Sequence, residues 1–217
     1  MRPLLSILLL TLASLPALAG GKVESLGACT DTGVPEAVRQ ALEARGYRVT
    51  LDDGVTIDLW FRSQVPVAKS PDAAATAGAD FSFERTTLIG VALYAKPAKD
   101  FRNQNIRPGA YTLRYELHPA DGNHMGVAPA RDFLLMVPAA SDPGPDASLN
   151  YDQLIALSKK ATGTNHPAPL DLAAPEAQSF PAVYENSEGH TLVAVKLKTA
   201  SGDVPIALVL KGVSAVR

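Results

Sequence analysis

Two of the chain's four histidines and a methionine fall within HPADGNHMGVAP, residues 118–129. Imidazole with thioether suits copper, and imidazole with carboxylate suits zinc. His118, His124 and Met125 are therefore candidate metal ligands, with Asp121 beside them. Spacing argues against a preformed site. His118 and His124 are separated by five residues that include Pro119 and Gly122, no helix brings them together, and no HExxH or paired-cysteine pattern is present. A second polar cluster, Thr162-Gly163-Thr164-Asn165-His166-Pro167, adds His166 to the candidate ligands. Asn123-His124 and Asn165-His166 each place an amide beside an imidazole, a pair rich in neutral donors and acceptors. If these two loops meet at one end of the fold, they form a polar pocket with Tyr115, Arg131 and Asp132 at its rim, suited to a sugar, a peptide or a small acid. The plainer alternative is that the same side chains satisfy loop backbone groups.

Catalytic patterns are scarce. There is no Gly-x-Ser-x-Gly elbow, no P-loop and no glycine-rich dinucleotide turn. His124 or His166 as general base with Asp121 or Asp132 as orienting carboxylate is the residue set a hydrolase would draw on, but no spacing implies a triad. Asp52-Asp53-Gly54 is explained by turn formation. Trp60, the only tryptophan, is either a stacking platform for carbohydrate or an aromatic packed under a loop or second sheet. Cys29 is the only cysteine, so no intramolecular disulfide can form.

The elements that must position these residues begin after an N-terminal leader. MRPLLSILLLTLASLPALA has one basic residue, an apolar run and a closing Ala17-Leu18-Ala19, the pattern of a secretory signal peptide cleaved after Ala19. Leu26-Gly27-Ala28-Cys29 loosely resembles a lipobox, but Lys22 and Glu24 separate it from the apolar run. Removal of residues 1–19 leaves about 198 residues, enough for one large domain with a substantial core. The formal net charge of −2 gives no electrostatic reason to expect nucleic acid as a partner. No later segment is apolar over the length a membrane span requires.

Short periodic segments follow. Residues 35–46 read as a helix with Pro35 in its first turn and Gly46 past its end. Tyr47–Leu51 and Val55–Arg62 alternate around Asp52-Asp53-Gly54, a hairpin signal. In the second strand Val55, Ile57, Leu59 and Phe61 share the core face, and Trp60 lies on the other. Residues 64–83 read as a long loop, Thr87–Tyr94 as an apolar strand and Lys96–Arg107 as a polar connection. In Tyr111–Leu117 the apolar face carries Tyr111, Leu113, Tyr115 and Leu117, whereas Thr112, Arg114, Glu116 and then His118 fall on a face expected to be solvated. Arg131–Pro138 is apolar on both faces and reads as a central strand. A surface connection spans 139–148. Asn150 and Gln153 then form a capping box for a helix at Tyr151–Thr162 that stops at Gly163. Residues 164–179 read as proline-rich loop, and three strands near 182–185, 191–198 and 204–211 close the chain.

These elements predict a mainly β fold, an antiparallel β-sandwich with two short helices in a single domain over residues 20–217. The phrases PGAYTLRY, DGNHMG, RDFLLMVPAA and GTNHPA resemble those of an uncharacterised group of secreted bacterial proteins over about residues 47–170. The resemblance implies bacterial secretion and a β-rich fold, and assigns no catalytic residue. The sequence thus reads as a periplasmic or extracellular binding or interaction module. The first alternative is a metal-binding protein holding one copper or zinc ion, and the second a hydrolase.

Overall fold

The computed structural model describes residues 20–69, 77–100, 104–119 and 131–212. The hairpin at Asp52-Asp53-Gly54 forms as its residue types dictate. Gly54 takes a left-handed φ of 80°, and the Val55 amide donates to the Asp53 carboxylate at 3.0 Å. It joins β2 (Leu42–Leu51) to β3 (Thr56–Arg62), with Tyr47 opposite Leu59 and Val49 opposite Ile57. The remaining strands of the large sheet are β1 (Gly21–Leu26), β4 (Leu88–Tyr94), β7 (Gly109–Leu117), β8 (Asp132–Pro138), β9 (Pro169–Ala173), β10 (Ala182–Glu185), β11 (Thr191–Thr199) and β12 (Gly202–Lys211). Two short strands, β5 (Ala98–Lys99) and β6 (Asn105–Ile106), pair separately.

All ten strands of the large sheet run antiparallel to their neighbours, in the order β1-β2-β3-β4-β7-β8-β9-β12-β11-β10. A mainly β fold is therefore present, but the expected sandwich of two separate sheets is replaced by one sheet that nearly closes into a barrel. The physical reason lies in β9. Its Pro169, Leu170 and Asp171 pair with β8, and its Leu172 and Ala173 pair with β12, so one strand carries the sheet around a corner. The free edges β1 and β10 meet at the other side, where a Cβ on Gly20 would stand 3.1 Å from the Tyr184 backbone.

Alternation sets the core as expected. Ile57, Leu59 and Phe61 of β3 and Leu113, Tyr115 and Leu117 of β7 all point into one interior cluster. Part of the stretch 64–83 proves structural. Val65 and Val67 bridge to Thr199 and Phe83, and Phe81 and Phe83 join the interior, with the Phe83 ring edge-on to Tyr115 at 5.3 Å. Central β8 buries Leu134 and Met136 inward. Outward, it buries Phe133, Leu135 and Val137 beside Leu154 of α2 (Tyr151–Thr162). That helix has both bonds of its capping box and ends at Gly163 with φ 67°.

The other helix, α1 (Glu36–Ala41), is shorter than the pattern over 35–46 suggests, because Leu42 already begins β2. Gly46 is not a helix terminator. A Cβ there would meet Trp60 Nε1 at 2.4 Å, so glycine is needed where the indole crosses the β2 backbone. Trp60 is buried and donates from Nε1 to the Gly27 carbonyl at 2.9 Å, which removes it as an exposed sugar platform. Cys29 packs in the same outer cluster, and burial pushes its thiol up. Strands β1 and β9 were not anticipated. Both are short and flanked by Gly or Pro, which hides their period. No described helix is long and apolar enough to cross a membrane.

Candidate functional site

The outward face of β7 does not face solvent. Thr112, Arg114 and Glu116 are all fully buried: residues 139–148 lie across the first two, and Arg85 reaches onto Glu116. Arg114 ties this strap down. Its Nε and Nη2 donate to the two oxygens of Asp142 at 2.8 and 2.7 Å, and both side chains are inaccessible. Nη1 donates to the carbonyls of Thr86 and Ala147, and Nη2 also to that of Gly144. All five N–H groups of the guanidinium thus have acceptors, the condition under which a buried cation is tolerated. The Asp142 carboxyl is pushed up by burial. The Arg114 hydrogen bonds and charge, the Thr112 hydroxyl and the Gly144 amide outweigh that and hold it below its ordinary value.

Beside the strap lies a cleft of about 140 Å³ between residues 84–87 and 145–148. Arg62, at the end of β3, lines it and donates to the Pro145 carbonyl at 2.9 Å and to the Asp146 carboxylate. The opposite wall is Glu84-Arg85-Thr86-Thr87. Thr86 has a φ of 63°, a left-handed conformation rarely adopted by a β-branched residue. Bonds on both sides hold it there: its amide donates to the Tyr115 carbonyl at 2.8 Å, and its carbonyl accepts from Arg114 at 2.7 Å. Arg85 lines the cleft with its side chain half exposed, and its Nε donates to Glu116 Oε1, which also accepts from the Leu117 amide at 2.9 Å. Glu116 Oε2 is buried with no hydrogen-bond partner among the described residues.

Some of the candidates named from sequence do come together. Tyr115 donates to Asp132 at 2.5 Å, and Asp132 accepts from the Asp80 and Phe81 amides at 2.8 and 3.3 Å. Both side chains lie inside the fold under residues 80–81, so they anchor a plug instead of forming a pocket rim. Burial pushes Asp132 up against these hydrogen bonds, and burial followed by the Asp132 contact pushes Tyr115 up. Arg131 is spent on the His118 and Ala77 carbonyls. His118, expected on a solvated face, stacks on Phe133 with ring centroids 4.1 Å apart, and its Nε2 stands 3.5 Å from Asp171.

Asn165 and His166 lie exposed at the opposite end of β7 and β8. Thr164 bonds to Gln104, and Gln104 bonds to the Pro167 carbonyl, just before β7 begins. The His166 amide and carbonyl bond to the Thr164 and Thr162 hydroxyls, as a turn requires. Nine residues of β7 span roughly 27 Å. His118 and His166 therefore cannot share an ion, and the loop that starts at His118 and ends at Arg131 is rooted at the end away from His166. Asp121, Asn123, His124 and Met125 lie outside the described residues. Among the described residues no three His, Cys, Asp or Glu side chains form a metal-binding group.

Sequence reasoning missed the cleft. Its only signal was the polar run Glu84-Arg85-Thr86-Thr87 directly before an apolar strand. No family model, curated protein or solved structure matches this chain.

Proposed function

We propose that the protein is a binding module, exported to the periplasm or beyond by a leader ending at Ala19, and that its ligand site is the cleft between residues 84–87 and 145–148. The observation that carries this reading is the cleft itself: a concave space of about 140 Å³ with cationic, acidic and hydroxyl side chains on walls fixed from behind by buried hydrogen bonds. Pre-formed concavity with a few placed polar groups is how small-ligand sites are built. The lining residues Arg62, Glu84, Arg85, Thr87 and Asp146 include no aromatic side chain, which favours a small charged molecule or peptide end over a stacked sugar ring.

Amide chemical shifts of the protein, recorded with a panel of small sugars, amino acids and organic acids, test the proposal. Correlated movement of the Thr86, Thr87, Ala147 and Ser148 amides is the expected result. Movement confined to residues 163–166 would refute it.

A further inference from the structure

We infer that the cleft receives an oxyanion, a carboxylate or phosphate group, on the outward nitrogens of Arg85. This inference rests on the cleft being the ligand site.

The argument begins with three arginines of equal charge and unequal commitment. Arg114 has no donor left, and Arg62 is tied to Pro145 and Asp146 with its side chain 14% exposed. Arg85 is different: its side chain is 48% exposed, its Nε is fixed on Glu116, and its terminal nitrogens make no hydrogen bond among the described residues. The Glu116 carboxylate is 1% exposed, so the anchor is rigid. An arginine facing a carboxylate ordinarily closes a two-bond fork on it. Here the fork is half made, leaving Glu116 Oε2 without a partner on one side and the terminal N–H groups open to the cleft on the other. A planar pair of N–H donors held by its root is suited to a carboxylate or phosphate.

The surroundings fit an oxyanion ligand. Thr86, Thr87 and Ser148 line the same space, and their hydroxyls make no hydrogen bond among the described residues, so they are available as further donors. Of the two acids at the cleft, Asp146 is held by Arg62. Glu84 is exposed, where solvent screens it, and it can accept from a donor on the same ligand.

The test titrates inorganic phosphate, N-acetylglycine and its neutral analogue N-acetylglycinamide into the protein and into Arg85→Gln and Arg85→Lys. Amide shifts of residues 85–87 and 147–148 are the readout. Arg85→Lys keeps a cation opposite buried Glu116, so the fold is retained while the fork is lost. Expected are saturable shifts with phosphate or N-acetylglycine, none with the neutral analogue, and binding weakened about tenfold or more in both variants. Response to phosphate alone or to N-acetylglycine alone identifies which oxyanion the site takes. If N-acetylglycinamide binds equally well, or Arg85→Lys binds as wild type, the oxyanion inference falls and the cleft reading stands. If no compound moves these amides, the oxyanion inference falls, and the wider panel of sugars, amino acids and organic acids decides the cleft reading.

Discussion

Replacing Arg114 by methionine removes a charge and five hydrogen bonds while keeping an unbranched apolar chain in place of the arginine stem. What it leaves behind sets the cost. Asp142 remains in a position with no solvent exposure, opposite no cation, and the Thr86, Gly144 and Ala147 carbonyls lose a donor. Breaking a buried pair from one side costs about 3–5 kcal/mol. In a chain of this size that lowers the melting temperature by roughly 6–20 °C. The double variant Arg114→Met/Asp142→Leu removes the stranded carboxylate as well, and recovers much of the loss because an apolar pair needs no compensating charge. Urea unfolding of the wild type, of Arg114→Met, of Asp142→Leu and of the double variant gives the coupling directly, provided the m-value is unchanged.

The pH dependence separates this account from a simple packing defect. In the wild type the folded Asp142 carboxyl sits below its unfolded value of about 3.9. Its contribution is therefore complete above that value and is lost as pH falls through the folded one. Without Arg114 the cation and its bonds are gone and burial dominates, so the folded carboxyl moves above the unfolded one. The sign then reverses, and Arg114→Met gains stability as pH falls toward 4. A loss below about 1 kcal/mol, well under the range for breaking a buried pair, or an unchanged pH slope in the variant, would refute the reasoning.

Three further outcomes follow from other contacts. Gly46→Ala drives a methyl group into Trp60 Nε1, so it costs about 1–3 kcal/mol and shifts the emission of the only tryptophan to the red. Thr86→Gly relieves a left-handed β-branched residue and raises the urea midpoint, a gain of up to about 1 kcal/mol after the glycine entropy cost; a lower midpoint would show that the threonine side chain supplies more than its backbone strain removes. Asp132 is pushed up by burial, so the folded protein takes up its proton at higher pH than the unfolded chain, and wild-type stability from this group falls as pH rises through that window. Asp132→Asn abolishes that slope, which denaturant titrations between about pH 3 and 7 will show relative to wild type.

The sequence was most legible where local pattern and burial agree. The alternation of β3 and β7, the doubly apolar β8 and the Asn150/Gln153 capping box all carry their physics within a few residues. It was least legible where the partner is remote. Arg114 and Glu116 read as solvated because nothing near them in sequence announces that residues 139–148 will cover the first or that Arg85 will reach the second, and Asp142-Pro143-Gly144-Pro145-Asp146 has the composition of any surface turn. Gly46 looked like a helix terminator for the same reason, since the indole that requires it arrives from the next strand. Stretches 118–129 and 162–167 are alike in residue type, and residue type does not reveal that their roots lie at opposite ends of β7.

The strap and the cleft are one construction. Arg114 bonds the Thr86 carbonyl on one wall and the Gly144 and Ala147 carbonyls on the other, so the guanidinium that is closed to ligand sets the width of the space beside it. Arg62 fixes the rim of the second wall through Pro145 and Asp146. These two arginines position the walls, and the third, rooted on Glu116, is left to meet whatever enters. A binding site held from behind in this way loses its geometry before it loses its contacting groups. Arg114→Met should therefore weaken ligand binding in the folded protein even though Arg85, Thr86 and Thr87 are all still present. Conservation of wild-type affinity in that variant would mean that the cleft keeps its shape without the tie.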